Sequence, residues 1–173
     1  NSTAAVIIAL LHGIAEEKII DQLAKYQGVY RRFSSIIEKS GVKYFDDYAH
    51  HPTEIDQLLL SAKEEAANKV VTIFQPHRFS RIHSLYDSFC TSFKHTDYLA
   101  ILPIYAAGEE YRGVFDYEKF AEDIKKKSNT NVIILSRKQI TKLLRDIAKD
   151  GDIVLFVGAG DINEISRDIC REI

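Results

Sequence analysis

Methionine is absent from the 173 residues, and the chain opens at Asn1 inside an apolar helical pattern. Together these lead us to expect a piece of a longer protein. Cysteine is almost absent too. Cys90 and Cys170 fall on apolar faces of predicted helices far apart in sequence, which reads as two buried free thiols in a cytosolic protein. The longest apolar run, residues 4–11, is far below the ~20 residues that span a bilayer and lacks the basic start of a signal peptide. A membrane partner is not expected. Basic charge is not concentrated either: the net charge is −2, the pI about 6.3, and the only basic run, residues 125–127, reads as a solvated helix end. Nucleic acid is therefore not an expected partner. Any Gly-x-x-x-x-Gly-Lys-Ser/Thr loop is missing as well, which excludes a phosphate cradle of that type. What is present is apolar material for a core, 46% of residues against 28% charged, at a length that suggests one domain plus a fragment of another.

The apolar pattern predicts short helices over residues 2–13 and 16–26, with Gly13 stopping the first and Ile19, Ile20 and Leu23 on one face of the second. The period changes at Gly28, where we place a domain boundary between residues 1–27 and 28–173. YRRFSSIIE and VKYFDDYA flank KSG and predict a β-hairpin. Predicted helices at 53–67, 82–94, 117–127, 137–148 and 161–172 then alternate with apolar strands at 70–74, 98–103, 131–135 and 152–157. Such alternation predicts an α/β fold: an open, mostly parallel Rossmann-like sheet with helices on both faces. Ligands of such sheets sit outside the carboxyl ends of the strands, here DDYAHH, QPHRFSR, PIYAAGEE, SRKQ and GAGD.

Two of these ends concentrate titratable groups. In QPHRFSR, Ser80 is a fair N-cap that would put Arg81 in the first helical turn beside His77 and Arg78. Cations oppose the dipole there, so the arrangement makes sense around an anion; exposed arginines paired with surface acids are the plainer alternative. In FDDYAHHPTEI, Asp46, Asp47, His50 and His51 with His77 could ligate a metal. Adjacent histidines point apart, however, and nearby arginines repel a cation. A carboxylate on a ribose hydroxyl beside a phosphate-facing histidine fits the arginines better, and His51 is also a candidate N-cap with Pro52 at the first helical position. FVGAGD misses the third glycine of a dinucleotide fingerprint, which would fall at Asn163, and reads as a tight strand-to-helix turn. Tyr105, Glu109 and Glu110 lie in a glycine-containing loop with no assignable role.

GVYRRF (28–33), DDYAHHPTEI (46–55), PHRFSR (76–81) and GAGDI (158–162) stand in the order and spacing of one family. The chain resembles the Mur ligases over essentially its whole length. It resembles the alanine-adding branch more than the muropeptide-recycling branch, which is similar in DDxAHHP. The resemblance implies a carboxyl-terminal domain preceded by the last helices of a central ATPase domain, closing over the site like a lid. It implies ATP and Mg2+ as cofactors, with the metal ligands outside this chain, and L-alanine and UDP-N-acetylmuramate as substrates. In the reaction it implies, ATP makes an acyl phosphate on the muramoyl carboxylate, the alanine amine attacks it, and the tetrahedral intermediate collapses to the amide as phosphate leaves. By matching motifs, Asn1 would lie against adenine, Arg32 on the ATP phosphates and Asp47 on the ribose. His50 would lie near the transferred phosphoryl group, and Tyr48, His77, Arg78 and Arg81 would form the alanine pocket. The loop 108–113 lacks the proline expected of the family, and Asn163 stands where a bulkier residue is usual. A non-catalytic anion-binding module and a metal-dependent hydrolase remain the competing classes. The chain by itself is expected to be inactive.

Overall fold

The computed structural model describes residues 2–26, 28–111 and 113–173, and the chain divides into two compact units, one through Tyr30 and one from Arg31. The first unit holds α1 (Ser2–Leu11) and α2 (Glu16–Lys25), neither of which has a buried residue. Ile7, Ile8, Leu10 and Leu11 of α1 are all exposed, and Gly13 ends the helix region at φ 72°.

The second unit runs β1 (Ser34–Lys39), β2 (Val42–Asp47), α3 (Pro52–Glu65), β3 (Val70–Phe74), α4 (Phe79–Ser84), α5 (Tyr86–Thr91), β4 (Tyr98–Ile101) and α6 (Tyr117–Ser128). It finishes with β5 (Asn131–Ile134), a 3-10 turn (Arg137–Gln139), α7 (Ile140–Ile147), β6 (Ile153–Val157) and α8 (Ile162–Glu172). The sheet order is β1-β2-β6-β3-β4-β5. Among the described residues the β1–β2 pair is antiparallel and the other four pairs are parallel, and the predicted hairpin forms one edge of the sheet.

Strand residues alternate between two cores, as the period of a pleated strand requires. Val70, Phe74, Leu99, Ile101, Ile153 and Leu155 pack with α3, α5 and α6, while Val71, Ile73, Ala100, Val154 and Phe156 pack with α7 and α8. Phe74, Phe89, Phe93 and Phe120 are fully buried, each contributing about 1.5–3 kcal/mol by removal from water. Cys90 and Cys170 are free and buried, and burial pushes both thiols up to about 11.

Three expectations are corrected. The helix predicted over 82–94 starts earlier, at Phe79, and is broken at Leu85 (φ −120°, ψ 22°) into α4 and α5. Periodicity missed the break because Ile82, Phe89 and Phe93 still reach one core across it. The first hairpin strand starts only at Ser34, since Arg31 (φ 58°) and Phe33 (φ 46°) adopt left-handed backbone that a strand cannot contain. The helix predicted over 137–148 opens with the 3-10 turn.

Register then positions the chemistry. Asp47 lies beside Val157, Val157 beside Phe74, and Phe74 beside Ile101. The loops after β2, β6, β3 and β4 therefore open side by side.

Candidate functional site

The loop after β2 is held from within. Asp47 Oδ2 accepts the Phe33 N–H at 2.7 Å and Oδ1 accepts the Ala49 N–H at 2.7 Å, tying the segment before β1 to the segment after β2. Burial raises its pKa, against the two amide hydrogen bonds that favour the charged form. Asp46 is also raised by burial, opposed by Arg31, whose Nε donates to Oδ2 at 3.0 Å. The same guanidinium donates to the Gly158 carbonyl at 2.6 Å and lies 4.9 Å from the Tyr48 ring centre. Arg31 thus clamps three loops, whereas the neighbouring Arg32 is exposed.

His50 and His51 diverge. Nδ1 of His50 lies 2.9 Å from the Tyr48 carbonyl, an acceptor, so the proton sits on Nδ1 and Nε2 is left for other partners. His51 is the N-cap of α3 and accepts from the Thr53 N–H, with Pro52 at the first helical position. Glu54 Oε2 completes the box by accepting from the N–H groups of His50 (3.1 Å) and His51 (3.3 Å). Burial acts to raise the Glu54 pKa, but these amides and His50 outweigh it and the net direction is down.

The loop after β3 behaves differently. Ser80 was expected to cap the helix; Arg78 is the N-cap instead, at φ 69°, and makes no capping hydrogen bond with its side chain. The backbone leaves Pro76 engaged with the next loop: Tyr105 N–H donates to the Pro76 carbonyl (2.8 Å) and Arg78 N–H to the Tyr105 carbonyl (2.9 Å). That pairing puts the N-cap two residues earlier than local sequence suggests. Arg81 still falls in the first turn, and its guanidinium donates to His77 Nδ1 at 3.2 Å. A donor there requires His77 neutral with its proton on Nε2. Burial, then Arg81, His50 and Arg78, accordingly hold its pKa below the ordinary value. Being only six residues long, α4 contributes little dipole, so any anion here is held by the guanidinium groups.

Glycine closes the floor. A β-carbon on Gly158 (φ 151°) would stand 2.6 Å from the Gln75 carbonyl, and one on Gly160 2.6 Å from Tyr105 Cγ. Gln75, buried, accepts from the Ile162 N–H through Oε1 and donates to Asp161 at 2.6 Å, so β3 carries the anchor of the turn after β6.

The structure brings Tyr48, His50, His77, Arg78 and Arg81 together from two loops. Ring centres run Tyr48–His50 at 5.2 Å, His50–His77 at 6.0 Å and His77–Tyr105 at 5.6 Å. Asp47 lies behind this row and Arg32 on the segment that Asp47 ties down. Asn1 falls outside the described residues. Among the described residues no three His, Cys, Asp or Glu side chains are grouped to hold a metal ion. Arg31, Gln75, Tyr105 and Glu109 were not singled out as site residues by sequence. Only GxG at 158–160 hinted at a close approach, without naming what approaches.

A mostly parallel six-stranded sheet with helices packed on it is the fold on which the comparisons converge. The family model "Mur ligase, glutamate ligase domain" matches residues 31–160, and the chain belongs to that family. It is 41% identical over 165 residues to the UDP-N-acetylmuramate–L-alanine ligases of Bartonella bacilliformis and Bartonella henselae, covering 95% of this chain and 35% of each relative. The chain thus spans about a third of the length of the curated relatives it matches. Among solved structures it is similar to UDP-N-acetylmuramate-alanine ligase MurC from Thermotoga maritima, with TM-score 0.78 and 26% identity over 99% of this chain and 36% of that one. It is also similar to a murein peptide ligase from Psychrobacter arcticus, with TM-score 0.67 and 25% identity over 95% of this chain and 34% of that one.

Proposed function

We propose that this chain is the carboxyl-terminal domain of an ATP-dependent ligase that joins L-alanine to UDP-N-acetylmuramate in bacterial cell-wall synthesis. The observation that carries the reading is His77, close enough to both Arg81 and Arg78 to feel their charge and in one row with His50 and Tyr48 at the carboxyl edge, within a chain of this family. Two guanidinium groups suit a small carboxylate, the strongest handle that alanine offers. His50, whose Nε2 is not engaged by the Tyr48 contact, is assigned to the transferred phosphoryl group. The enzyme works in the cytoplasm, in keeping with two free thiols. Residues 1–27 are the tail of a preceding domain, and the partners of this domain are the parts of the same protein that hold the nucleotide sugar and most of the ATP.

ATP fits only in part. The exposed Arg32 suits a phosphate, and Asp47, after accepting two amides, keeps lone pairs for a ribose hydroxyl. Magnesium does not fit: among the described residues no three His, Cys, Asp or Glu side chains are grouped to hold it and the Arg31 guanidinium sits against Asp46, so we assign its ligands to the preceding domain.

The second reading is the muropeptide-recycling ligase, favoured by the likeness to the murein peptide ligase. ADP release by the full-length protein decides between them, with ATP, Mg2+ and UDP-N-acetylmuramate present and either L-alanine or a muramyl tripeptide's free peptide added. Turnover with L-alanine is expected. Turnover with the peptide alone would replace the first reading by the second, and turnover with neither would remove both. The 173-residue chain alone is expected to show none.

A further inference from the structure

The backbone of Arg78 is in a conformation that non-glycine residues occupy at a cost, φ 69°, and it begins a helix that has no cap of its own. Such a residue persists only where its surroundings over-determine it. One loop does so from both sides. Ahead of the strained residue, Tyr105 exchanges two backbone hydrogen bonds with Pro76 and Arg78. Behind it, Glu109 reaches α4 from 29 residues away: Oε2 accepts the Ser80 N–H at 3.1 Å and Oε1 accepts the Ser80 hydroxyl. The stacking of Tyr111 on Phe79, with ring centres 4.2 Å apart, and its hydrogen bond to His83 at 2.9 Å fasten the loop again further along.

We propose that Glu109 is a positioning residue for the arginine pair: it caps α4 in trans, holding Arg78 in its left-handed conformation and Arg81 against His77. The inference rests on the alanine-pocket reading above. The Ser80 hydroxyl first, then its amide, hold the Glu109 carboxyl below its ordinary value, so the cap is charged at neutral pH. Its charge also lies close enough to Arg78 and His77 to offset the repulsion among the cations of the pocket. Removing it releases the turn, and the two guanidinium groups lose their common target while Arg32, on the other side of β2, keeps its place.

The test is steady-state kinetics on the full-length protein with amide hydrogen exchange alongside. Glu109→Ala should raise KM for L-alanine about tenfold and Glu109→Gln, which keeps one acceptor oxygen, about threefold, the scale on which charged hydrogen bonds are lost or weakened. KM for ATP should stay within about twofold, because uniform loss of one substrate's binding leaves the other's unchanged. The Ser80 amide should exchange faster in Glu109→Ala, and adding Ser80→Ala to that variant should change little more, because the two act as one unit. An unchanged alanine KM with a deprotected Ser80 amide would overturn the proposal, as would equal rises for alanine and ATP, the mark of general loosening. Absence of alanine-dependent turnover in the unaltered protein would instead strike the functional reading. The cap is then decided by the Ser80 amide alone: faster exchange upholds it and unchanged exchange removes it.

Discussion

Helices α3 and α4 both begin at the carboxyl edge of the sheet, on loops either side of β6, and they begin in opposite ways. The start of α3 is closed within four residues by His51, Pro52 and Glu54, and the helix runs for fourteen. The start of α4 has a strained N-cap, takes its acceptor from Glu109 and stops after six residues. A helix that caps itself gains stability from local sequence and leaves its own polar groups satisfied. One capped from outside can hold its first turn in a conformation chosen for what it must bind, here two arginines and a histidine. The difference teaches that the first loop is built mainly for stability and the second mainly for recognition.

The strongest way to break that division is to truncate the arginines. Arg78→Ala or Arg81→Ala in the full-length protein should lower kcat/KM for L-alanine by about 2–5 kcal/mol, roughly thirtyfold to several thousandfold, as when one partner of a desolvated charge pair is removed. KM for ATP and the melting temperature should move far less, and lysine should rescue only in part because it lacks the two-pronged fork. A fall in ATP affinity with alanine dependence intact would assign these arginines to the phosphates.

The turn after β6 serves both loops, so a lesion there should cost stability first. Gly158→Ala drives a β-carbon toward the Gln75 carbonyl and should destabilise by about 1–3 kcal/mol, the usual cost of overpacking, read as a lower thermal transition.

A smaller effect sharpens the contrast from the other side. Glu54→Ala removes the acceptor for two amides and should cost about 1 kcal/mol, or about 2–4 °C in melting temperature. Because the Glu54 pKa is lowered in the fold, its contribution is present above the unfolded value and fades as the pH falls through the folded one. The variant and the parent should therefore converge in acid. If they stay parallel, the capping box is not what Glu54 contributes.

The smallest effect concerns His77. Its folded pKa is lowered below the ordinary 6.5, so the unfolded chain binds the proton more readily. Its share of stability is intact above that value and shrinks as the pH drops below it. Thermal unfolding at pH 7.5 and 5.5 should show a larger loss for the parent than for His77→Gln; equal losses would mean that His77 is not held neutral by burial and Arg81.

The sequence by itself determined the layers, the strand positions and the start of α3. The continuous apolar runs Val70 to Phe74 and Ile153 to Val157, the stripe along α3 and the His51 cap followed by Pro52 all act between residues within a turn or a pleat of one another. Sequence also delivered His50, His77, Arg78 and Arg81 as a group, because the carboxyl end of a parallel strand is a predictable place. Only the tertiary structure decided what holds them. The sheet order sets β6 between β2 and β3, which brings Arg31 to Gly158 across 127 residues and Gln75 to Ile162 across 87. The pairing of His77 with Tyr105, and of Ser80 with Glu109, follows from β4 lying next to β3. Contacts of that range depend on which strands become neighbours, a choice made by the packing of the whole sheet, and no window of local sequence records it.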